Sequence, residues 1–411
     1  MKHEISMRRI LISLIVTLTC CAAFGADKKV VKFLAAQYST ATEPYWKELE
    51  SAFEKENPDI DLQIEVFYWK GLHDKITTLI GAKEQPDLAN IGTSWLPEYV
   101  KAGIAQTIDD RLTSGMKARF VENLLAGAAM DGKTYGLPIA TSVRALYYNK
   151  ALFEEAKLEA PKNWDEFKAA AKKLTKPGKV YGTAMPIHQD DQGDQFTYFL
   201  FGAGGDWFDA KGNVTLNSPE AVEALQFMVD LYKARVTNPE PWTNNRDETQ
   251  KLFINGRAGM IMTGNFLVPI LAKENDKLQY GVAPIPANKK PGTLAITDTM
   301  VFFNRDKQDK DAVWKFVDFM YRTEWRQKFL EAEGMLPELS DLAKKRESDP
   351  KTGVFIKLLP TAKFQPNHAD FVPISQRVVK AVQLALLGEA TPKEALDKAV
   401  EEINTTILHK K

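Results

Sequence analysis

The feature that most constrains the fold is a strand–helix–strand pattern near the start of the chain. Residues 60–67, IDLQIEVF, alternate apolar and polar side chains as a half-buried strand does, and residues 30–35, VVKFLA, form a second short strand. Between them Trp46, Leu49 and Phe53 recur at helical spacing. A helix that joins two strands in this way predicts neighbouring parallel strands, and therefore an α/β fold.

The same alternation recurs further along the chain. In PKNWDEFKAAAKKLTKPG, Glu166 follows Asn163 by three residues, which predicts a capping box at a helix start, and Pro177-Gly178 predicts the end of that helix. DAVWKFVDFM, from residue 311, repeats the helical period. Because 411 residues exceed what one hydrophobic core ordinarily holds, we expect two α/β domains.

Composition and motifs exclude several function classes. Lys plus Arg and Asp plus Glu both number 54, so the charge balance gives no sign of nucleic-acid binding. No Gly-x-Ser-x-Gly elbow, phosphate loop or dinucleotide fingerprint is present, so we expect neither an enzyme nor a cofactor. The histidines after residue 25 show no metal-ligand spacing, so no metal is expected. They are His73, His188, His368 and His409.

The N-terminus reads as a secretory signal peptide over residues 1–25. An Arg pair, an apolar run and small residues follow one another in MRRILISLIVTLTCCAAFG, and either Met1 or Met7 is the start. The mature protein would be periplasmic and would contain no Cys, so its stability would come from its cores. An alternative stays open, in which Cys21 is a lipid attachment point that tethers the protein to the membrane.

Aromatic and amide side chains follow the expected strands. AAQYST, FYWKG and ANIGTSW place Tyr38, Trp69 and Trp95 after three strands. Since ligands of open α/β sheets lie outside the carboxyl ends of strands, we expect these loops to meet. A flat ring packs well against the apolar face of a sugar, while amides and hydroxyls bond its hydroxyl groups. The alternative for any one of these rings is packing in the core.

One acidic loop offers a different chemistry. HQDDQGDQ, residues 188–195, contains Asp190, Asp191 and Asp194. Paired carboxyl groups serve glycoside hydrolysis, so an exported glycosidase stays open as a less favoured alternative.

The stretch LPIATSVRALYYNK, residues 137–150, reads as a buried strand interrupted by Thr141, Ser142 and Arg144. A guanidinium and two hydroxyls in an apolar strand require partners. Two interpretations stay open for Arg144, which either borders a ligand cleft or forms an ion pair within the protein.

Several segments, in order, resemble the bacterial extracellular solute-binding proteins of ABC importers, in the group that includes maltose-binding protein. The most specific is YGLPIATSVRALYYNKALFEEAKLEAPKNWDEFKAAAKKL, and YWKELESAFEKENPDIDLQIEV precedes it. LFINGRAGMIMTGNF, YGVAPIP and DTMVFFNRDKQDKDAVWKFVDFM follow. The resemblance covers essentially the whole mature chain.

The resemblance implies a two-lobed α/β fold of the periplasmic-binding-protein type. Each lobe would be a mainly parallel sheet flanked by helices, with the ligand cleft at the hinge. The chain would cross near Pro138–Thr141, near Ala295–Asp298 and around residues 340–350. The first lobe would comprise residues 26–140 plus 298–345, and the second lobe residues 141–297 plus 346–411.

The resemblance also implies ligand-binding positions, carried over residue by residue. They are Gln37, Tyr38, Tyr68, Trp69, Thr93, Ser94, Trp95, Ser142, Arg144, Trp207, Trp242, Asn265, Phe266, Asp298 and Gln376. Ser142 stands where maltose-binding protein has a contacting acid, and Ser375-Gln376 replace aromatic residues. Both departures argue against maltodextrins as the ligand.

The implied function is that of a monomeric receptor that captures a sugar or an oligosaccharide by hinge closure and delivers it to the ABC permease. A non-sugar solute, such as a glycerophosphodiester or a polyamine, stays open as an alternative.

Overall fold

The computed structural model describes residues 28–409, with gaps at 70, 192, 210, 367 and 369, and describes Asp190 by its backbone alone. The predicted signal peptide, both start sites and the cysteines lie outside the described residues. No described helix combines the length and the apolar character that a bilayer crossing requires.

The described part of the chain contains ten strands, which form one mixed sheet and one small hairpin. They are β1 (Lys29–Gln37), β2 (Ile60–Tyr68), β3 (Leu88–Gly92), β4 (Ala129–Met130), β5 (Lys133–Thr134), β6 (Gly136–Asn149), β7 (Met260–Gly264), β8 (Tyr280–Ala283), β9 (Thr293–Phe302) and β10 (Ala362–Phe364).

Helices flank the sheet. They are α1 (Thr42–Glu56), α2 (Leu72–Gly81), α3 (Leu96–Lys101), α4 (Ser114–Lys117), α5 (Glu122–Gly127), α6 (Lys150–Glu155), α7 (Trp164–Leu174), α8 (Asp194–Ala203), α9 (Pro219–Lys233), α10 (Arg246–Ile254), α11 (Leu267–Glu274), α12 (Lys310–Met320), α13 (Thr323–Glu333), α14 (Ser340–Arg346), α15 (Gly353–Leu358), α16 (Phe371–Leu387) and α17 (Pro392–Glu402).

The predicted strand–helix–strand unit is confirmed. β1 and β2 pair in parallel from Lys29 opposite Ile60 to Gln37 opposite Tyr68, and α1 joins them. Trp46, a residue of the predicted helix face, is buried together with its neighbours on α1. β1 also pairs in parallel with β3, so three strands end at the same edge of the sheet.

The interrupted stretch at residues 137–150 forms one continuous strand, β6. Its first part, Gly136–Val143, pairs with β9, and Arg144–Tyr148 pairs with β7. β9 behaves alike, since Asp298–Phe302 pairs with β3 while Thr293–Ala295 pairs with β10. We call β6 and β9 the crossing strands, because each takes part in both halves of the molecule.

The expectation of mainly parallel pairing is wrong for the second half. There β6 is antiparallel to both β7 and β8, whereas β10 is parallel to β9 and Ala184 forms a single parallel bridge with Ile261. The reason is directional. β6 enters from the first half and runs away from the crossing, while β7 runs toward it and ends at Gly264 opposite Arg144.

Two large hydrophobic cores define two lobes. One core takes its residues from 31–140 and 300–342, and the other from 146–294 and 371–403. Leu342 belongs to the first core, whereas Phe355 packs beside Val143 and Tyr147 of β6. The lobe boundaries expected from the sequence stay a prediction.

The start of α7 shows how local sequence fixes one helix. Asn163 Oδ1 accepts a hydrogen bond from the Glu166 backbone N–H at 2.9 Å, as the motif predicts. The prediction of the reciprocal hydrogen bond, from the Asn163 N–H to the Glu166 side chain, is wrong. Glu166 Oε2 accepts from the Lys162 N–H at 2.8 Å instead. The helix still ends at Leu174, shortly before Pro177-Gly178.

Candidate functional site

Three aromatic side chains of the first lobe meet where β1, β2 and β3 end. The ring centroids of Tyr38 and Trp69 lie 5.6 Å apart, and those of Trp69 and Trp95 lie 5.8 Å apart, both in edge-to-face geometry. His73 adds a further edge contact to Trp95 at 4.9 Å. We call Tyr38, Trp69 and Trp95 the aromatic wall. Its rings are half-buried, so part of each remains available to another molecule.

The aromatic wall is joined to crossing strand β9 through Asp298. The Tyr38 hydroxyl donates to Asp298 Oδ2 at 2.8 Å and lies 3.0 Å from the side-chain amide of Asn90. Burial raises the pKa of Asp298 to about 7, although the hydrogen bond from Tyr38 and the charge of Arg144 act to lower it. Burial, with the nearby Asp298 carboxyl, raises the pKa of the Tyr38 phenol as well.

Arg144 is buried where β6 enters the second lobe. Its Nη1 donates to Ser142 Oγ at 2.7 Å, and its Nη2 donates to Asp194 Oδ2 at 3.2 Å. The guanidinium lies 5.7 Å from the ring centroid of Phe266. Burial acts to lower the pKa of Arg144, but Asp194 and Tyr198 more than offset it and keep that pKa raised. An ion pair within the protein, one of the two interpretations, is therefore present.

Two residues at this site were not among the predicted ligand contacts. Asp194 is the first residue of α8, and its second oxygen, Oδ1, accepts from Gln365 Nε2 at 3.1 Å. We call Ser142, Arg144, Asp194 and Gln365 the polar cluster. The sequence marked Asp194 only as part of an acidic loop. Gln365 carried no signal, because it follows β10, a strand of three residues without a visible pattern.

The neighbouring carboxyl group of Asp191 is unusual. Burial, and then the charge of Asp194, raise the pKa of Asp191 to about 7. Its Oδ1 accepts from the backbone N–H of Arg246 at 3.1 Å, and the Arg246 guanidinium lies 4.9 Å from the Phe266 ring. The described residues contain no group of three or more His, Cys, Asp or Glu side chains placed to bind a metal ion.

Other predicted residues of the first lobe line the edge of the site. Thr93 Oγ1 lies 2.5 Å from the Thr297 carbonyl oxygen and 2.7 Å from Thr299 Oγ1, so it fixes the turn after β3 to crossing strand β9. Ser94 lies in the same turn and is half-buried. Gln37 ends β1 and is half-buried, whereas Tyr68 ends β2 with 65% of its surface exposed.

Two of the predicted ligand contacts are buried within the protein, and their roles in binding stay a prediction. Trp207 is 1% exposed in the core of the second lobe, where its Nε1 donates to Thr197 Oγ1 at 3.1 Å. Asn265 is fully buried, because its Oδ1 accepts from the Val143 N–H at 2.9 Å and its Nδ2 donates to the Gly334 carbonyl at 2.6 Å. Both side chains are occupied in holding the fold.

The remaining two predicted residues lie on the second lobe. Trp242 is half-buried and contacts the ring of Tyr232 at 5.8 Å. Gln376 is exposed on α16, next to the fully buried Ser375. From this late part of the chain, Gln365 and not Gln376 reaches the polar cluster.

A cavity of about 730 Å³ lies away from the aromatic wall and the polar cluster, beside β1 and β2. Lys32, Glu50, Lys83 and Arg305 contribute to its lining. It contains charged side chains but none of the predicted ligand contacts.

The chain is similar in sequence to known binding proteins. Residues 35–327 match the family described as bacterial extracellular solute-binding protein. A binding protein of Brucella abortus is 37% identical over 391 residues, which cover 94% of this chain and 95% of the relative.

Two solved structures share the fold. An ABC transporter solute-binding protein from Thermotoga lettingae, bound with α-D-tagatose, has a TM-score of 0.82 at 27% identity and covers 92% of this chain and 99% of its own. An ABC substrate-binding protein from Listeria monocytogenes, in complex with cycloalternan, has a TM-score of 0.79 at 25% identity, with coverages of 94% and 100%. The chain therefore belongs to the bacterial extracellular solute-binding proteins.

Proposed function

We propose that the protein captures a sugar or an oligosaccharide between its lobes and delivers it to the permease of an ABC importer. The observation that carries this proposal is the position of the aromatic wall and the polar cluster, one in each lobe, beside the crossing strands. Aromatic rings pack against the apolar face of a sugar ring, while carboxylates, guanidinium and amide groups bond its hydroxyls.

The similar structures support the same solute class. The Thermotoga lettingae protein is bound with α-D-tagatose, and the Listeria monocytogenes protein is in complex with cycloalternan. Both are ABC transporter binding proteins, which supports a permease as the partner of this chain. We propose a periplasmic, monomeric receptor, with Cys21 as an alternative lipid anchor.

Binding would bring the two lobes together. We propose that they comprise residues 26–140 plus 298–345 and residues 141–297 plus 346–411, in support of which the two large cores draw on separate parts of the chain. A solute shifts a hinge toward closure only through its higher affinity for the closed state. The sugar would therefore contact both the aromatic wall and the polar cluster.

A phosphorylated solute is less well supported. A phosphodiester needs an uncompensated cation, but Arg144 is already paired with Asp194. The Arg144 guanidinium is compensated before any ligand arrives, which suits a neutral solute with many hydroxyl groups.

A second candidate is the hydrolysis of glycosidic bonds, and one observation favours it. Asp191 has a pKa raised to about 7 and interacts with Asp194, so a carboxyl group with a raised pKa lies near a second carboxyl group, and glycosidases use such a pair. Against it, Arg144 and Gln365 occupy both oxygens of Asp194. We expect no release from aryl glycosides, and release that Asp191→Asn abolishes would establish the enzyme.

The test of the receptor is a thermal-shift screen over a panel of sugars, followed by calorimetry. A sugar at a hundredfold over its Kd adds about 2.7 kcal/mol of stability, which is a readily measured rise in Tm. A panel of mono- and oligosaccharides that leaves the Tm unchanged, alongside a phosphodiester or polyamine that raises it, would contradict the proposal.

A further inference from the structure

Arg144 interacts with two carboxyl groups that belong to different lobes. Its Nη2 forms the ion pair with Asp194 Oδ2 at 3.2 Å. Asp298 of β9 lies opposite Ala140 of β6, and Arg144 follows four residues later on the same face of β6, so its charge also acts on the Asp298 carboxyl group. Asp194 begins α8 of the second lobe, whereas Asp298 lies on crossing strand β9 and holds Tyr38 of the first lobe. The two carboxyl groups therefore compete for one guanidinium.

The contacts on the second-lobe side favour Asp194 in this competition. Nη1 of Arg144 donates to Ser142 Oγ at 2.7 Å, which fixes the orientation of the guanidinium. Gln365 Nε2 donates to the other oxygen of Asp194 at 3.1 Å. A carboxylate in the first turn of a helix is also stabilised by the helix dipole. Asp194 is thus held in place.

The Arg144 guanidinium interacts less strongly with Asp298 than with Asp194. Among the described residues, the titratable or charged groups that act on it are Tyr38 at the end of β1 and Arg144 on β6, while the neutral amide of Asn90 on β3 reaches it only through the Tyr38 hydroxyl. Burial raises the pKa of Asp298 to about 7 because neither partner compensates its charge fully.

We propose that Asp194 is a positioning residue of the solute site. By holding the Arg144 guanidinium in the second lobe, it prevents an ion pair between Arg144 and Asp298, and it leaves the Asp298 carboxyl group to the Tyr38 hydroxyl and to the solute. Its role in binding rests on the function proposed above, whereas its role in placing Arg144 does not.

The placement is tested on the sugar-free protein by NMR titration of selectively labelled aspartate carboxyl carbons. In Asp194→Asn, Arg144 is released toward Asp298, and the pKa of Asp298 should fall by roughly 1–3 pH units. Asp194→Glu should restore the original titration. Asp165→Asn, which removes an exposed carboxylate from the first turn of α7, should leave it unchanged.

Arg144→Gln provides the opposite prediction and a control for direct charge effects. Removing the guanidinium should raise the pKa of Asp298, and in this background Asp194→Asn should change it little. The proposal would be overturned if Asp194→Asn and Arg144→Gln shifted the pKa of Asp298 in the same direction. It would also be overturned if Asp194→Asn lowered that pKa equally in the wild type and in Arg144→Gln, since Asp194 would then act on Asp298 without Arg144. If Asp194→Asn does not fold, an Asp298 titration that is unchanged in Arg144→Gln would overturn the proposal as well.

A binding measurement decides the link to the solute. With the sugar found in the thermal-shift screen, the affinity of the wild type should vary between pH 5.5 and 8.5 about the pKa of Asp298. In Asp194→Asn that variation should move to lower pH together with the NMR titration. An affinity profile that stays in place while the NMR titration moves would remove Asp194 from the solute site. If no sugar binds, the proposed function fails, and the NMR titrations still decide the placement of Arg144.

Discussion

The two faces of the site differ in how their side chains are held. The aromatic wall of the first lobe is held by edge-to-face ring contacts, and its rings stay half-buried. The polar cluster of the second lobe is held by hydrogen bonds and an ion pair, and Arg144 at its centre is 3% exposed. A ring needs only packing, whereas a buried charge needs every partner in place.

This difference teaches what each face contributes. In the proposed site, the aromatic wall would offer apolar area to many sugars, because every pyranose has an apolar face. The polar cluster would offer fixed donors and acceptors, and a sugar that leaves them unpaired would bind less tightly. We therefore expect affinity to depend on both lobes, and selectivity to depend mainly on the second lobe together with Asp298.

The largest expected effect tests whether the second lobe also has an aromatic surface for the sugar. Trp207→Ala removes a ring from the core, so the free energy of unfolding should fall by about 3–5 kcal/mol. Sugar affinity, measured by calorimetry at a temperature where the variant is folded, should change little. A variant of normal stability that no longer binds sugar would return Trp207 to the site.

The next effect removes the centre of the polar cluster. Arg144→Leu leaves Asp194 buried without its cation, and sugar binding should weaken by about 2–5 kcal/mol. The double variant Arg144→Leu with Asp194→Leu should regain stability but not affinity, because no unpaired charge remains. Chemical denaturation and calorimetry separate the two quantities. Affinity that returns with stability would show that the polar cluster is only structural.

The aromatic wall should show the complementary behaviour. Trp95→Ala should weaken sugar binding by about 1–3 kcal/mol, with a smaller effect on folding than Trp207→Ala has. Calorimetry compares the sugar affinities of Trp95→Ala and Trp207→Ala, and thermal unfolding compares their Tm values. Unchanged affinity in Trp95→Ala, together with a large loss of Tm, would assign Trp95 to the core.

The link between the faces predicts a pH dependence of folding. Because the folded protein raises the pKa of Asp298 from 3.8 to about 7, the stability that its protonated form provides is present below pH 4 and is lost as the pH rises through 7. Each unit of difference between the pKa values of the folded and unfolded states corresponds to about 1.4 kcal/mol for a group shielded from solvent. Asp298 is partly exposed, so we expect a loss of roughly 1–2 kcal/mol between pH 5 and pH 8.

Asp298→Asn should remove that part of the pH dependence, which denaturant unfolding at several pH values measures. Asp165→Asn is the control. The contribution of Asp191, whose pKa is also raised to about 7, should remain in both variants. Equal pH dependence in Asp298→Asn and in the wild type would contradict the assigned protonation of Asp298.

The smallest effect concerns Gln376. Since its side chain is exposed on α16, Gln376→Ala should change sugar affinity and stability by less than about 0.5 kcal/mol. Gln365→Ala is the matched comparison and should weaken sugar binding measurably, because it removes a hydrogen bond to Asp194. A larger loss of sugar affinity in Gln376→Ala than in Gln365→Ala would support Gln376 as the ligand contact, as first expected from the sequence.

Much of the first lobe could be predicted from the sequence, because its elements are local. Alternation predicted β2, helical spacing predicted α1, and the parallel order of the strands brought Tyr38, Trp69 and Trp95 to one edge. Each step needs only neighbouring residues and one rule of sheet geometry.

The second lobe was harder to predict because its site depends on distant partners. Asp194 and Gln365 form a hydrogen bond although they are 171 residues apart in the sequence, and no sequence periodicity predicts such a contact. Trp207 was expected as a ligand contact because of its position in a loop of the second lobe, yet tertiary packing buries it against Phe371. Antiparallel pairing of β6 was also invisible, since direction depends on which lobe a strand enters from.

The most direct test of a sugar shared by the two lobes is a crystal structure of the protein with the sugar selected by thermal shift. We expect its apolar face against the aromatic wall at Trp95 or Trp69, and its hydroxyl groups hydrogen-bonded to Asp298 and to the polar cluster. A sugar that contacts one lobe alone, or that occupies the cavity beside Lys32 and Arg305, would contradict this account.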